Sequence, residues 1–197
     1  MLDFVPVTYR SLVLSLALGA GLSACRGGVS TAAAPAMPSS VTASPPGALT
    51  DANIAAIVLA GDNADILYGS LALGKSANDA VRKFAQTTVN DHRAVNQAAT
   101  DLAARLSVTP VDNTVSFDMR DNAEDKRDLL RELSGNAFDK AYIDNEVTYH
   151  IKMLGIIDNT LLPGVRNADL KALITAVRPA VAAHLEHARS LQSSMAR

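Results

Sequence analysis

The sequence predicts an all-α protein folded as an antiparallel four-helix bundle. Beyond Thr50 the apolar residues recur in alternating steps of three and four, the spacing of one helix face rather than of a strand. Aromatics make up 4% of the chain and tryptophan is missing, while alanine and leucine abound, a balance that suits helices over sheets. Gly, Pro and polar caps cut the periodic stretch into four pieces. Short turns join one to two and three to four, so each pair reads as a hairpin, with a longer link between the pairs.

Helix one is expected to start at Thr50 or Asp51 and to carry Ile54, Val58, Gly61, Asp65, Tyr68 and Ala72 on one stripe, with Gly74 marking its end. Ser76 is the expected cap of helix two, striped by Val81, Phe84, Thr88, His92, Val95, Ala99, Leu102 and Leu106. Pro110 and the polar stretch from Asp112 to Asp125 read as a long connection, with a short helix around Lys126–Leu133. Gly135-Asn136 opens helix three, with Ile143, Val147, His150, Leu154, Ile157 and Leu161 on its inner face. Pro163-Gly164 breaks the chain, and Asn167 caps helix four, whose stripe is Leu170, Ile174, Val177, Val181, His184, Ala188 and Leu191. Pro179 falls inside that last helix and is expected to kink it, freeing the carbonyl of Thr175.

Ahead of the bundle stands a different kind of segment. The apolar run Leu12 to Leu22 follows Arg10 and ends in Leu22-Ser23-Ala24-Cys25, which holds the chain's only cysteine. Residues 1–24 read as a secretory signal peptide, and the boundary is similar to a bacterial lipobox, in which Cys25 is acylated and becomes the first mature residue. Two acyl chains hold a protein stably at a membrane where one would not. Ordinary cleavage nearby, leaving Cys25 as a free thiol, is the alternative. Residues 25–49, rich in Gly, Ser, Thr, Ala and Pro and almost uncharged, are an expected flexible linker with a span on the order of 25–30 Å. Residues 50–197 are then the bundle domain. The expected setting is the bacterial cell envelope, facing the periplasm, with Arg26 after the cysteine leaning the assignment to the outer membrane.

The net charge is −2, and removing Asp3 and Arg10 with residues 1–24 leaves it unchanged. No basic excess exists to neutralise phosphates, so nucleic acid is not an expected partner; the membrane, through the lipid anchor, is. No Gly-rich phosphate loop, G-x-S-x-G or His-Glu-x-x-His is present, and the lone cysteine is assigned to the anchor, so the patterns do not favour an enzyme.

Each stripe carries one residue foreign to an apolar core: Asp65, His92, His150 and His184. At about 1.5 Å of rise per residue, their distances from the turns place all four in the middle of the bundle. Asp91, Glu146 and His187 flank them. Neutral imidazole is a good ligand for a transition metal, a nearby carboxylate completes the shell or orients a ring, and bundles build metal sites from facing helices. A seam histidine can equally pair with an acid on a neighbouring helix and fix register. Ferroxidase chemistry is not expected, because Val89, Val147 and Val181 stand where a Glu-x-x-His pair would need glutamate.

Several segments together resemble a family of bacterial envelope proteins, the domain of unknown function 4142. They are Tyr68-Gly69-Ser70-Leu71-Ala72, Val81-Arg82-Lys83-Phe84-Ala85 with Val89-Asn90-Asp91-His92, Phe138-Asp139-Lys140-Ala141-Tyr142-Ile143 with His150, and Arg178-Pro179 with His184-Leu185-Glu186-His187-Ala188. The resemblance covers about Asp51 to Leu191 and implies a ferritin-like helical bundle and an envelope location, with no assigned reaction. Asp65 falls where the family pattern carries an acid, glutamate being the residue expected there. Three functions follow from the sequence. The first is a lipid-anchored binding or structural module, stress-related in kind, whose histidines support the core. The alternative is a metal-binding, redox-capable protein that uses the four seam residues; the third is a pH-responsive switch built on buried histidines.

Overall fold

The computed structural model describes residues 48–196. The signal segment, Cys25 and the linker as far as residue 47 lie outside the described residues. Within them the chain is helical, with no strand. The elements are α1 (Asp51–Lys75), α2 (Asp79–Arg105), α3 (Thr114–Arg131), α4 (Gly135–Ile156), a π-helical turn at Ile157–Leu161, the single turn α5 (Leu162–Gly164) and α6 (Ala168–Met195). The four expected helices are α1, α2, α4 and α6.

Local chemistry sets the boundaries. Thr50 and Asn53 form a reciprocal capping box at the start of α1: the Thr50 hydroxyl accepts from the Asn53 N–H at 3.2 Å, and the Asn53 side chain accepts from the Thr50 N–H at 3.1 Å. The cap of α2 is Asn78 and not the expected Ser76. Asn78 Oδ1 accepts from the N–H groups of Ala80 and Val81, while Ser76 closes α1 by donating its N–H to the Ala72 carbonyl. Asn167 caps α6 as expected, accepting from Asp169 and Leu170. The chain enters α4 through Gly135 at φ +54°, a left-handed conformation that suits a residue without Cβ. α6 runs unbroken through Pro179.

The connection between the hairpins departs most from expectation. In place of a loop with a short terminal helix, an 18-residue helix, α3, occupies Thr114–Arg131, opened by a capping box of Asn113 and Ser116. It buries Ser116, Met119, Ala123 and Leu130 and packs along α1. That packing explains a second difference. α1 is buried on more than the one stripe, adding Ala55, Ala56, Ile57, Ala60 and Ala64, because α2 covers one side and α3 another. α1 is long and apolar enough to cross a membrane by composition, yet most of it is buried inside the protein, as a central bundle helix is.

The core divides into two apolar halves. One contains Ile54, Ile57, Leu102, Met153, Ile157, Leu161, Leu170, Ile174 and Val181, and Leu49 from the expected linker packs against it. The other contains Tyr68, Ala72, Val81, Phe84, Leu130, Phe138, Tyr142, Ile143 and Ala188. Helices α1 and α6 enter from the first half and leave through the second; α2 and α4 run the other way. Each must therefore cross the junction between the halves once. Asp65, His92, His150 and His184 are the residues at those crossings.

Candidate metal centre

Those four residues, one from each of four helices, are all buried, and each offers a ligand atom within 4.8 Å of every other. The three imidazoles form a near-regular triangle. Ring centroids lie 5.4 Å apart for His92–His184, 5.4 Å for His150–His184 and 6.0 Å for His92–His150. Asp65 Oδ2 stands 2.6 Å from His92 Nε2 and 3.6 Å from His150 Nε2. Four donors around a tetrahedral zinc ion with bonds of 2.0–2.1 Å would be separated by about 3.3 Å, so the observed spacing brackets that of a chelate.

The other nitrogen of each ring is already engaged. His92 Nδ1 lies 2.8 Å from Asp62 Oδ1, His150 Nδ1 lies 2.9 Å from the Glu146 carbonyl, and His184 Nε2 lies 2.9 Å from Asp91 Oδ2. This is the arrangement by which metal-binding histidines are held in one tautomer and one orientation. The remaining nitrogens, His92 Nε2, His150 Nε2 and His184 Nδ1, have no hydrogen-bond partner, and neither do both oxygens of Asp65. His92 Nε2 and Asp65 Oδ2 face each other at 2.6 Å as a buried ion pair. Five buried polar atoms thus converge at one point, each facing the others of the cluster.

Glu146 deepens the imbalance. It is fully buried, both its oxygens lack a donor, and it lies against Asp65 and 3.5 Å from His150 Nδ1. Burial pushes its carboxyl well above the usual range, and the charge of Asp65 adds to the push. Burial acts on Asp65 in the same direction, but the charge of His92 and contacts from His92 and Glu146 outweigh it, so Asp65 is held well below the usual range. Burial pulls His92 down; Asp65 and Asp62 reverse that and raise it to about 10. His150 and His184 are both lowered, chiefly by burial, and stay neutral and ligand-ready. Without a metal the centre is an Asp65–His92 ion pair among neutral groups.

Of the flanking residues expected from sequence, Asp91 and Glu146 are in place. His187 is not: one turn beyond His184, it is exposed and stacks edge-on against Phe84 at 5.1 Å. It turns to the solvent-facing edge beside Phe84, outside the cluster. Asp62 was the residue sequence reasoning missed. It sits three before Asp65 on the same side of α1, and what marks it is its contact with His92 across the bundle. Tyr149, also unremarked, donates to the Gly61 carbonyl at 2.5 Å and closes one flank of the site.

Fold and site together define a helical-bundle protein whose interior carries a buried three-histidine, one-aspartate cluster with the donor set and spacing of a metal centre. The family model described as Domain of unknown function (DUF4142) matches residues 36–191, and the chain belongs to that family. No curated protein and no solved structure matches it.

Proposed function

We propose that this protein binds one divalent transition-metal ion through Asp65, His92, His150 and His184, and does so at the bacterial envelope, held to the membrane by an acylated Cys25. The observation that carries the metal reading is the convergence of four buried donor atoms from four helices, each histidine braced from behind by an acceptor. Histidines serving only to fix register would pair separately and leave no free nitrogen facing the others.

The donor set narrows the ion. Three imidazoles and one carboxylate suit Zn, Fe, Cu(II) or Ni; they are too nitrogen-rich for Ca or Mg and lack the thiolate or thioether that selects Cu(I). Bound there, the ion would supply positive charge between Asp65 and Glu146 and hold the four crossing helices to one point. The four side chains bind; Asp62, Asp91 and the Glu146 carbonyl orient the rings.

The test is metal uptake by metal-free protein, read by elemental analysis and calorimetry. One ion per chain is expected, and His150→Ala should lower affinity by at least about a hundredfold, as loss of a direct ligand exceeds the 10–100-fold cost of losing an outer support. Absence of stoichiometric uptake of any divalent transition ion would refute the reading. The sequence motif at Cys25 supports the location, and membrane fractionation of wild type against Cys25→Ser tests it separately.

A further inference from the structure

The side chain of Glu146 is a buried polar group that the four-donor site leaves unused. It is 0% exposed, and neither of its oxygens accepts a hydrogen bond. It stands one turn before His150 on the buried line of α4, with Oε2 3.5 Å from His150 Nδ1 and its carboxyl against Asp65. We propose that Glu146 is a fifth ligand of the metal ion. The inference rests on the metal reading above and widens the donor set to three nitrogens and two carboxylates.

Charge is the first ground. A divalent ion paired with Asp65 alone keeps one positive charge beside residues that are fully buried, and an uncompensated buried charge is costly. Among the described residues the buried acids are Asp62, Asp65, Asp139 and Glu146. Asp62 is separated from the ion by the His92 ring that it supports. Asp139 lies two turns earlier on α4, about 10 Å away from Glu146. Glu146 is the buried acid placed to cancel the second charge by direct contact.

Reach is the second. The Glu146 carbonyl accepts from His150 Nδ1 at 2.9 Å, so the backbone there is fixed beside a ligand while the side chain keeps three rotatable bonds. In the metal-free arrangement the carboxyl stands just behind Asp65, outside the four mutually close donors. Two carboxyls gain nothing by converging without a cation between them, and an ion draws the second one forward. The Tyr142 hydroxyl, one turn before Glu146, is also buried without a partner and lies against the Glu146 carboxyl, so it can donate to the oxygen that the ion does not take. A second carboxylate also selects. Zinc is satisfied by four tetrahedral donors, whereas Mn(II) is held best by oxygen ligands.

The experiment strips the full-length protein of metal and loads it with Co(II), whose visible absorption is several-fold stronger in four-coordinate sites than in five-coordinate ones. Affinities for Mn(II) and Zn(II) are measured alongside, by competition with a chelator. The wild type should take up Co(II) and show the weaker band. Glu146→Gln keeps the shape and can still donate a hydrogen bond to Asp65, so it replaces a group that only supports Asp65 without loss. It does not replace a carboxylate ligand: the Co(II) band should grow several-fold, and Mn(II) affinity should fall by at least about tenfold more than Zn(II) affinity. A strong four-coordinate band in the wild type, or a band or a Mn-to-Zn ratio that Glu146→Gln leaves unmoved, overturns this inference and leaves the metal reading standing. If the variant fails to fold, the wild-type band decides alone. Failure to take up any divalent transition ion overturns both.

Discussion

Asp65 is fully buried, and the behaviour of the site follows from what neutralises it. In the metal-free protein that role falls to His92, raised to about 10, above its unfolded value of about 6.5. The stabilisation from this ion pair is therefore fully present between about pH 4, the unfolded carboxylate value, and about pH 6.5, and is lost as pH climbs through about 10 or falls into the acid range. A metal that takes His92 Nε2 must displace the proton held there. Uptake near neutral pH is expected to release protons, and affinity to rise with pH, seen as a calorimetric heat that changes with the ionisation enthalpy of the buffer. A buffer-independent heat would mean that His92 is not a ligand. Asp62→Asn keeps the shape but removes the charged acceptor behind His92, and should weaken metal binding by about 10–100-fold, measured by competition with a chelator. At this scale the four ligands were legible because each was a polar residue in an apolar stripe. Asp62 was not, because the step of three that links it to Asp65 looks the same as an exposed helical acid until its partner across the bundle is known.

Elements add constraints that single residues do not show. α1 and α2 approach closely at Gly69, where a Cβ would stand 2.5 Å from Val89 Cγ2 and 3.3 Å from the Ala85 carbonyl oxygen. A β-branched valine and a backbone oxygen yield little, so Gly69→Ala should destabilise the fold by about 1–3 kcal/mol despite its better helix propensity, as chemical denaturation would report. A neutral or stabilising result would mean that the two helices separate freely there. The strong stripes of α2 and α6 made those elements readable, with caps and breaks close to their observed places. α3 escapes the sequence reading for a physical reason: its buried set, Ser116, Met119, Ala123 and Leu130, holds only two large apolar residues, Phe117 and Leu129 are exposed, and most of the remainder is charged or polar. Its helicity follows from capping and from docking on α1, not from a wide apolar face. Leu130, 2% exposed, should cost about 2–5 kcal/mol on truncation to alanine, which the loop reading would not predict. The centre of α4 shifted in the same way. Tyr142, Glu146 and Met153 are its buried line, while Val147 and Leu154 of the expected stripe lie at its edge.

Across the whole molecule, the site occupies the seam between two apolar halves, so a metal held there would be coupled to global stability. Each of α1, α2, α4 and α6 contributes one candidate ligand at the point where it passes from one half to the other, so an ion bound there would fix four helices at once and tie both halves together. Without it the seam holds Asp65, Glu146 and three imidazoles whose polar atoms are largely unpartnered, an arrangement that costs free energy wherever water is excluded. The unfolded chain has no such preformed site, so a metal that binds the native state alone raises stability by about 4 kcal/mol when free metal exceeds the dissociation constant by about a thousandfold. The expected outcome is a single cooperative thermal transition that moves upward with metal concentration. His150→Ala and His184→Ala should each abolish the movement, whereas His187→Ala, at an exposed position beside Phe84, should leave it intact. That contrast separates specific chelation at the seam from loose association with surface histidines. If His187→Ala suppresses the shift as strongly as His150→Ala, the ion is not held where the four helices cross.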